Sequence, residues 1–349
     1  MDNKRLLSLK QIIGLIFLIL IITAVVILFI NNQNVAVSEP LSLIKVRYGS
    51  VPAIMEAPAH VAFSKHLFRE QGLDVSLTLN PDGKTSFEQL LNGKLDIAAV
   101  MTTPVVYKSF ERNDFYILGK IDHFQKNDRL VARRDSGINS VEDLKGKRVA
   151  VLLGSSGQFY MDSWLLYNGL NSEDMDIVDM NAPDSLEAIK EGRIDAMFSW
   201  FPFTAEAELA LGENAVRFPA NDIVPTSWVI VAGKKYATEN EDIIEAFLRT
   251  IITAEEFIKK EPEQAIHFHS EINGVSESLI KTIFNNMNFG LTLDQNLLLD
   301  MEEQARWVIR NGYVEEAPIP NYLNFIFPDP LRAVDSGAVT IITRVEDDN

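Results

Sequence analysis

The apolar residues divide the chain into a uniformly apolar N-terminal segment and a long remainder in which short apolar runs alternate with amphipathic stretches. From Gln11 to Ile30 there is no charged residue. At a rise of about 1.5 Å per residue, a helix of this length covers about 30 Å, which is the thickness of a bilayer's hydrocarbon core. The pattern therefore predicts a transmembrane helix over 11–30, either retained as an anchor or removed as a secretory signal.

The residues on either side of this segment predict its orientation. Residues 1–10 form a basic flank with Lys4, Arg5 and Lys10, and the positive-inside preference places that flank in the cytoplasm. A polar linker at 31–42 then leads to a domain outside the cytoplasm. Cleaved signals have shorter apolar regions and a small-x-small site. Because residues 35–38, Val-Ala-Val-Ser, match such a site poorly, the sequence favours an uncleaved anchor.

After the linker, the period of the apolar positions changes repeatedly between that of a strand and that of a helix. Such alternation is typical of an α/β fold. The predicted strands are Ile44–Tyr48, Val75–Leu79, Ile97–Val100 and Tyr116–Ile121. The predicted helices between them are Met55–Glu70, Lys84–Leu91 and Pro104–Glu111.

One stretch of this α/β region recurs later in the chain. Ser86–Asp96 and Ser185–Asp195, 99 residues apart, share Ser, Glu, Gly and Asp in register. Each begins a helix at Ser, ends it at Gly and leads into a strand after Asp. Short helix-Gly-strand joints also recur by chance, but further strands predicted at Arg148–Leu152, Met175–Met180 and Ala196–Phe198 favour a second lobe of the same type.

The last third of the chain completes the predicted domain organisation. Residues 239–312 have helical periodicity and no strands of their own, and they follow a β run at Trp228–Ala232. We expect this run to return to the first lobe and the helices to pack there. Lobe I then comprises 43–126 and 226–349, lobe II comprises 127–225, and two crossing segments, near His123–Val131 and Val224–Val231, form a hinge.

Charge and residue usage exclude several functional classes. The net charge is −17 with no basic stripe, so nucleic-acid binding is not expected. The chain has no cysteine, which excludes disulfides, thiol chemistry and a lipid-modified Cys. His267 and His269 lie two positions apart on a predicted helix and therefore point to different faces. We predict neither a metal site nor a cofactor.

The candidate binding residues lie where predicted strands lead into helices. At 154–157 a Gly-Ser-Ser-Gly turn follows a strand and opens a helix, so the backbone amides and the hydroxyls of Ser155 and Ser156, next to Gly157, suit an oxyanion. Such junctions are where open α/β sheets bind ligands. The alternative is plain helix capping by either serine.

Equivalent junctions supply the other candidates. Thr102 and Thr103 precede Pro104, and Ser199 and Trp200 precede Pro202. The indole of Trp200 can stack on a planar ligand or cover an aliphatic one, whereas Trp164, Trp228 and Trp307 are expected in the core. The loop after the first strand offers Glu56, with His60 one turn later; this carboxylate would favour a ligand with an amine or an NH-rich ring, unless it serves the first helical turn. No Lys or Arg falls within these junctions, which disfavours a densely charged dianion.

Five short motifs together resemble a known family: Gly72-Leu-Asp-Val75, Leu90-x-x-Gly-x-Leu-Asp-Ile97, Ser140-Val-Glu-Asp-Leu-Lys-Gly-Lys-Arg-Val-Ala150, Gly154-Ser-Ser-Gly157 and Ser199-Trp-Phe-Pro-Phe203. The chain resembles the exported solute-binding proteins of ABC importers for nitrate, sulfonates, taurine and the thiamine-precursor pyrimidine. The resemblance implies a type II periplasmic-binding-protein fold, with two α/β lobes joined by a two-strand hinge, a ligand in the cleft and no catalysis.

The sequence therefore predicts a monomeric, extracytoplasmic solute-binding protein that delivers a small anion or small heteroaromatic ligand to an ABC importer permease. The apolar N-terminal segment motivates an alternative, in which a membrane-anchored sensor presents its closed state to another protein. A pyrimidine-synthase-like enzyme is a further alternative. The related yeast synthase uses a cysteine-rich motif and a histidine, and this chain lacks cysteine.

Overall fold

The computed structural model describes residues 22–23, 43–121, 129–218, 227–285 and 287–342. Met1–Ser42 and Leu43–Asn349 are two separate compact units. Of the predicted transmembrane segment only Ile22 and Thr23 are described, both helical, so that prediction lies outside the described residues. Within the described part, no helix has the length and apolar character needed to cross a bilayer.

The described strands form two sheets. In chain order they are β1 Ile44–Ser50, β2 Leu73–Leu79, β3 Ile97–Met101, β4 Phe115–Ile121, β5 Arg129–Arg133, β6 Arg148–Val151, β7 Asp176–Asp179, β8 Ala196–Ser199, β9 Ala215–Phe218, β10 Trp228–Gly233 and β11 Leu291–Thr292. We name lobe I the described parts of 43–121 and 227–342, which carry a sheet of order β11-β4-β10-β3-β1-β2. We name lobe II residues 129–218, which carry a sheet of order β7-β6-β8-β5-β9.

Helices cover these sheets and extend lobe I. In chain order they are α1 Ala57–Ser64, α2 Leu67–Glu70, α3 Gly83–Leu91, α4 Thr102–Ser109, α5 Ser156–Tyr167, α6 Ala182–Lys190, α7 Phe203–Leu211, α8 Lys234–Glu239, α9 Glu241–Lys260, α10 Pro262–Asn273, α11 Glu277–Phe284, α12 Gln295–Arg310 and α13 Asp329–Val334. Short 3-10 turns, including Ile54–Glu56 before α1, join several of them.

The α/β prediction is confirmed, and β10 returns to lobe I as expected, pairing antiparallel with β3 and β4. The helical block packs on lobe I, where the Phe247 ring on α9 lies 5.2 Å from that of Tyr48 on β1. The expected lobe boundaries at 126/127 and 225/226 lie outside the described residues, as do residues 123–128 of the first crossing segment and 224–226 of the second.

Two predicted elements differ in detail. The single helix expected over 55–70 is divided, because His66 adopts a left-handed φ of 59° between α1 and α2. The C-terminal block was expected to lack strands, but Leu291–Thr292 pairs antiparallel with β4. This edge strand is too short for its period of two to be distinguished from a helical pattern in the sequence.

The internal repeat has a matching structure in the two lobes. Asp96 accepts hydrogen bonds from the backbone amide and the guanidinium of Arg47, and Asp195 does the same for Arg148. Arg47 also donates to the carbonyl oxygen of Gly93, and Arg148 to that of Gly192. These glycines end the helices that precede the two aspartates. Both aspartates therefore fix a helix-to-strand joint to the neighbouring strand.

Candidate functional site

A cavity of about 40 Å³ lies between the two lobes. Since about 10–15 Å³ accommodates one water molecule, this conformation leaves room for a small chemical group. Lobe I and lobe II both contribute to the lining: Val51, Ala53, Met55, Asp82, Gly83, Lys84, Met101, Pro104, Leu152, Ser155, Ser156, Trp200 and Trp228. The lining combines apolar side chains with one amine, one carboxylate and two hydroxyls.

Three helices begin at this cavity. Helix α3 begins at Gly83 after the N-cap Asp82, α4 begins at Thr102 after Met101, and α5 begins at Ser156 after the N-cap Ser155. The first amides of a helix lack intrahelical partners and carry partial positive charge. At α4 the Thr102 amide donates to the carbonyl of Ser227 and Pro104 has no N–H, so the available amides come mainly from α3 and α5. The convergence of these helix starts from both lobes makes the cavity suited to a negatively charged group.

Lys84 is a cavity residue that the sequence analysis missed. Lys84 lines the cavity, and its Nζ donates to the carbonyl oxygen of Leu153 at 2.9 Å, so this lysine joins α3 of lobe I to the turn before α5 of lobe II. We expected no lysine or arginine at the cleft junctions. Because Lys84 lines the cavity, that expectation is wrong for the cavity lining as a whole. The signal was available, because Pro81-Asp82-Gly83 is another strand-to-helix junction.

Two glycines allow the backbone to approach the cavity closely. A Cβ on Gly83 would lie 3.0 Å from the Cα of Val100 on β3, so the start of α3 can approach the sheet only without a side chain. Gly154 adopts a left-handed φ of 71° in the turn before α5, a conformation that glycine adopts without steric cost. Both turns hold a helix start against the cavity.

The two serines of the predicted turn have different surroundings. The Ser155 hydroxyl accepts from the amide of Gly157 at 3.1 Å and donates to the carbonyl of Leu152 at 2.6 Å, so Ser155 is a helix cap. No hydrogen bond joins the Ser156 hydroxyl to another of the described residues, and Ser156 lines the cavity. Within this one turn, Ser155 therefore caps the helix, while the hydroxyl of Ser156 remains available to bind a ligand.

Two tryptophans from different lobes provide the aromatic part of the lining. Trp200 follows β8 and lies against Gly157 and Phe203. Trp228 begins β10; it was expected in the core and is 3% exposed, but its ring also lines the cavity. Trp164 and Trp307 are buried as expected. Flat apolar surface in the same lining as the helix starts suits a ligand that carries an organic group on its anion.

Glu56 and His60 lie behind the cavity wall, in a fully buried polar network. Glu56 accepts from the hydroxyls of Tyr48 and Ser50 and from Nε1 of Trp228. Burial raises the pKa of Glu56 to about 7, against the opposing effect of these donors. The Nε2 of His60 lies 2.9 Å from the Ser50 hydroxyl, and burial lowers the pKa of His60 well below its usual value.

The remaining predicted residues are also buried away from the lining. Thr103 donates to Oε1 of Gln304 on α12 at 2.7 Å, and Nε2 of the same Gln304 donates to Thr102 at 2.9 Å. The Ser199 hydroxyl is buried and has no hydrogen-bond partner among the described residues. The predicted site residues that line the cavity are therefore Ser155, Ser156 and Trp200. Ligand contact by these and by the other predicted residues stays a prediction.

A second contact joins the lobes beside the cavity. Asp162 on α5 of lobe II accepts from Nε1 of Trp307 at 3.2 Å and from the hydroxyl of Tyr313 at 2.8 Å, both in lobe I. Burial raises the pKa of Asp162, although both donors favour its charged form. Together with the Lys84 contact, this interaction holds the lobes in the conformation observed.

Two α/β lobes that meet around a small cavity lined by helix starts define the class of two-lobed binding-protein folds. The chain belongs to the NMT1/THI5 like family, whose model matches residues 55–265. It is similar to a Bacillus subtilis protein named as an aliphatic sulfonates-binding protein, with 25% identity over 86% of this chain and 91% of that protein.

An enzyme is also among the relatives. The 4-amino-5-hydroxymethyl-2-methylpyrimidine phosphate synthase of Aspergillus parasiticus is 24% identical over 77% of this chain and 82% of that protein. Among solved structures, the alkanesulfonate-binding protein SsuA from Xanthomonas axonopodis pv. citri, bound to MOPS, matches with a TM-score of 0.73 at 17% identity, over 81% of this chain and 98% of that chain. The predicted family resemblance and two-lobed fold are confirmed.

Proposed function

We propose that this protein is an extracytoplasmic solute-binding protein that holds a small organic anion, with a sulfonate as the favoured class, between its two lobes. The observation that carries the proposal is the composition of the cavity lining, which combines Lys84 and the starts of three helices with two tryptophans. The amine and the helix starts suit one anionic head group, and the indoles suit an organic substituent.

The relatives support this ligand class and a role in import. A chain similar over most of its length to an aliphatic sulfonates-binding protein fits delivery of its ligand to an ABC importer permease. The apolar segment at 11–30 fits an anchor that holds the binding domain outside the cytoplasm. A pull-down from detergent that recovers a permease supports import; recovery of a non-transport membrane protein instead favours the sensor alternative.

The test is a thermal-shift measurement on residues 43–349, a compact unit that contains both sheets and their cores. The panel comprises alkyl and aryl sulfonates, taurine, nitrate, bicarbonate, carboxylates and aminopyrimidines. A ligand that binds only the folded state raises the melting temperature. We expect the largest rise with a sulfonate that carries an apolar group. A rise with aminopyrimidines alone would overturn the anion assignment.

A further inference from the structure

A continuous chain of buried hydrogen-bonding groups runs through lobe I from the cavity wall to the end of α10. It begins at Glu56, which holds Trp228, and passes through the hydroxyl of Ser50 to Nε2 of His60. The Nδ1 atoms of His60 and His269 lie 2.9 Å apart. Nε2 of His269 then lies 2.9 Å from the side-chain amide nitrogen of Asn273, the partly buried last residue of α10, whose Oδ1 is buried without a partner among the described residues.

We propose that Glu56, Ser50, His60, His269 and Asn273 form a proton relay that connects the ligand cavity with the outer face of lobe I. Through this relay Glu56 gains or loses a proton in response to the charge of the ligand. Glu56 is a positioning residue in this scheme, because it acts on the cavity through Trp228 and through its own charge.

The geometry permits one complete hydrogen-bond pattern when Glu56 is ionised. The Ser50 hydroxyl donates to Glu56, His60 carries its proton on Nε2 and donates to Ser50, and His269 carries its proton on Nδ1 and donates to His60. The Asn273 amide nitrogen donates to Nε2 of His269, which is the orientation observed. Each group donates or accepts as its chemistry allows.

A second complete pattern exists when Glu56 is protonated. Glu56 then donates to Ser50, Ser50 donates to His60, His60 donates from Nδ1 to His269, and His269 donates from Nε2 to the rotated amide oxygen of Asn273. The second pattern holds one more proton than the first. When the Asn273 side chain rotates away, a proton from solvent water binds His269 at Nε2 and releases the proton on Nδ1 to His60. The same exchange at His60 and then at Ser50 delivers one proton to Glu56. No redox step or co-reactant is required.

The surroundings keep the pKa values of the relay groups in a range that permits proton exchange near neutral pH. Burial lowers the pKa of His269 to about 3 and that of His60 well below its usual value, so both imidazoles stay neutral and can exchange tautomers. Burial also raises the pKa of Glu56 to about 7. Tyr48 is the other titratable group that contacts Glu56, and burial raises its pKa too. The nearby charged groups on other elements are Asp82 and Lys84, which line the cavity, and Asp300, bonded to Ser227.

The coupling to ligand rests on the proposed function, whereas the relay itself does not. An anion in the cavity repels an ionised Glu56 behind the wall, so anion binding favours proton uptake. Affinity for an anion is therefore highest below the pKa of Glu56 and falls as the pH rises through about 7. A network with a purely structural role would keep one hydrogen-bond pattern at every pH.

The first experiment needs no ligand. Nitrogen-15 NMR of histidine-labelled protein, residues 43–349, reports which ring nitrogen of each imidazole carries the proton. Between about pH 5.5 and about pH 8.5 we expect His60 to change from Nδ1–H to Nε2–H and His269 to change in the opposite sense, at one common midpoint. The relay would be overturned if the two histidines changed tautomer at different midpoints or if either ring were doubly protonated in this pH range. It would also be overturned if neither tautomer changed with pH.

Variants sharpen this test. Glu56→Gln can donate permanently to Ser50, so we expect both imidazoles to keep the tautomers of the protonated pattern at every pH. Ser50→Ala removes the link and should leave His60 and His269 insensitive to the titration of Glu56. His267→Gln is the control, because His267 lies exposed on the same helix and contacts Glu277 outside the relay. An unchanged pH response in either test variant would contradict the proposal.

The second experiment tests the coupling with butanesulfonate as the probe. Calorimetry in buffers of different ionisation enthalpy should detect proton uptake on binding near neutral pH, with affinity about tenfold lower at high pH, the factor that one unit of pKa shift represents. Glu56→Gln should bind without proton uptake. If butanesulfonate fails to bind at all, the proposed function loses its sulfonate class and the NMR result still decides the relay. Binding without proton uptake in the unsubstituted protein would overturn the coupling.

Discussion

The amine of Lys84 donates to the main-chain carbonyl oxygen of Leu153 at 2.9 Å and thereby joins α3 of lobe I to the turn before α5 of lobe II. Lys84 also lines the cavity between the lobes. An anion in the cavity and the Leu153 carbonyl can therefore both interact with one cation. Lys84 thus links ligand capture to the closed arrangement of the lobes.

We predict that Lys84→Met weakens binding of a sulfonate by roughly tenfold to hundredfold, because a hydrogen bond to a charged group contributes about 1.5–3 kcal/mol. Calorimetry on residues 43–349 measures the change. Lys94→Met is the matched control, since Lys94 is exposed after α3 and does not line the cavity. Equal affinities of the two variants would show that Lys84 acts only between the lobes and not on the ligand.

Most of the fold could be predicted from the sequence, because strand and helix periods in an α/β chain are set by local burial. Predicted strands such as Ile97–Val100 agree with the observed Ile97–Met101 to within one or two residues. The left-handed residue His66 was not predictable, since histidine carries no strong local preference for that conformation. The two-residue strand at Leu291 depends on pairing with β4, a contact of high sequence separation.

The site was predicted less completely. The order of strands and helices predicted the starts of α4 and α5 at the cavity, but the start of α3 was not among the predicted junctions. It could not tell which side chain of a junction lines the cavity: Thr102 and Thr103 contact Gln304, which is about 200 residues away in sequence. Lys84 was missed because the junction at Pro81-Asp82-Gly83 was not considered. The His60–His269 pair could not be predicted, because it requires packing of α10 on α1.

Separate substitutions of the two serines should separate capping from binding. Ser155→Ala removes a cap and should reduce the free energy of unfolding by about 1 kcal/mol, measured by urea denaturation. Ser156→Ala should leave the unfolding free energy unchanged and weaken sulfonate binding by severalfold, because its hydroxyl lines the cavity without a partner among the described residues. Unchanged affinity in Ser156→Ala would show that this turn only caps α5.

Asp162 should control the closed arrangement of the lobes. Asp162→Ala leaves the donors of Trp307 and Tyr313 without their acceptor, at a cost of about 1–3 kcal/mol in the closed form only. We expect a larger radius of gyration in small-angle scattering and a roughly fivefold to hundredfold loss of sulfonate affinity.

Asp176→Ala is the control for this substitution, because Asp176 is exposed on β7 and makes no contact with lobe I among the described residues. Unaltered scattering and affinity in Asp162→Ala would contradict a role in closure. If the melting temperature fell while scattering and affinity stayed the same, Asp162 would stabilise the fold and would not control closure.

The last prediction concerns the contribution of the repeated Arg–Asp joint to the free energy of unfolding, and how that contribution depends on pH. The hydrogen bonds from Arg148 hold the pKa of Asp195 below its usual value. A carboxylate with a depressed folded-state pKa adds stability above its unfolded pKa, near 3.9, and loses it as the pH falls through the folded value. Since the Arg148 side chain is 43% exposed, screening limits the effect of Asp195→Asn to about 1 kcal/mol at neutral pH.

Urea denaturation at several pH values measures this effect, and the difference between the unsubstituted protein and Asp195→Asn should shrink below about pH 4. Glu187→Gln, which removes only an exposed i,i+3 ion pair with Lys190, should show no such dependence. Because Asp195 belongs to a joint and lies outside the cavity lining, the affinity of folded Asp195→Asn for a sulfonate should equal that of the unsubstituted protein. A selective loss of affinity without loss of stability would instead give Asp195 a functional role and contradict the structural assignment of both repeat aspartates.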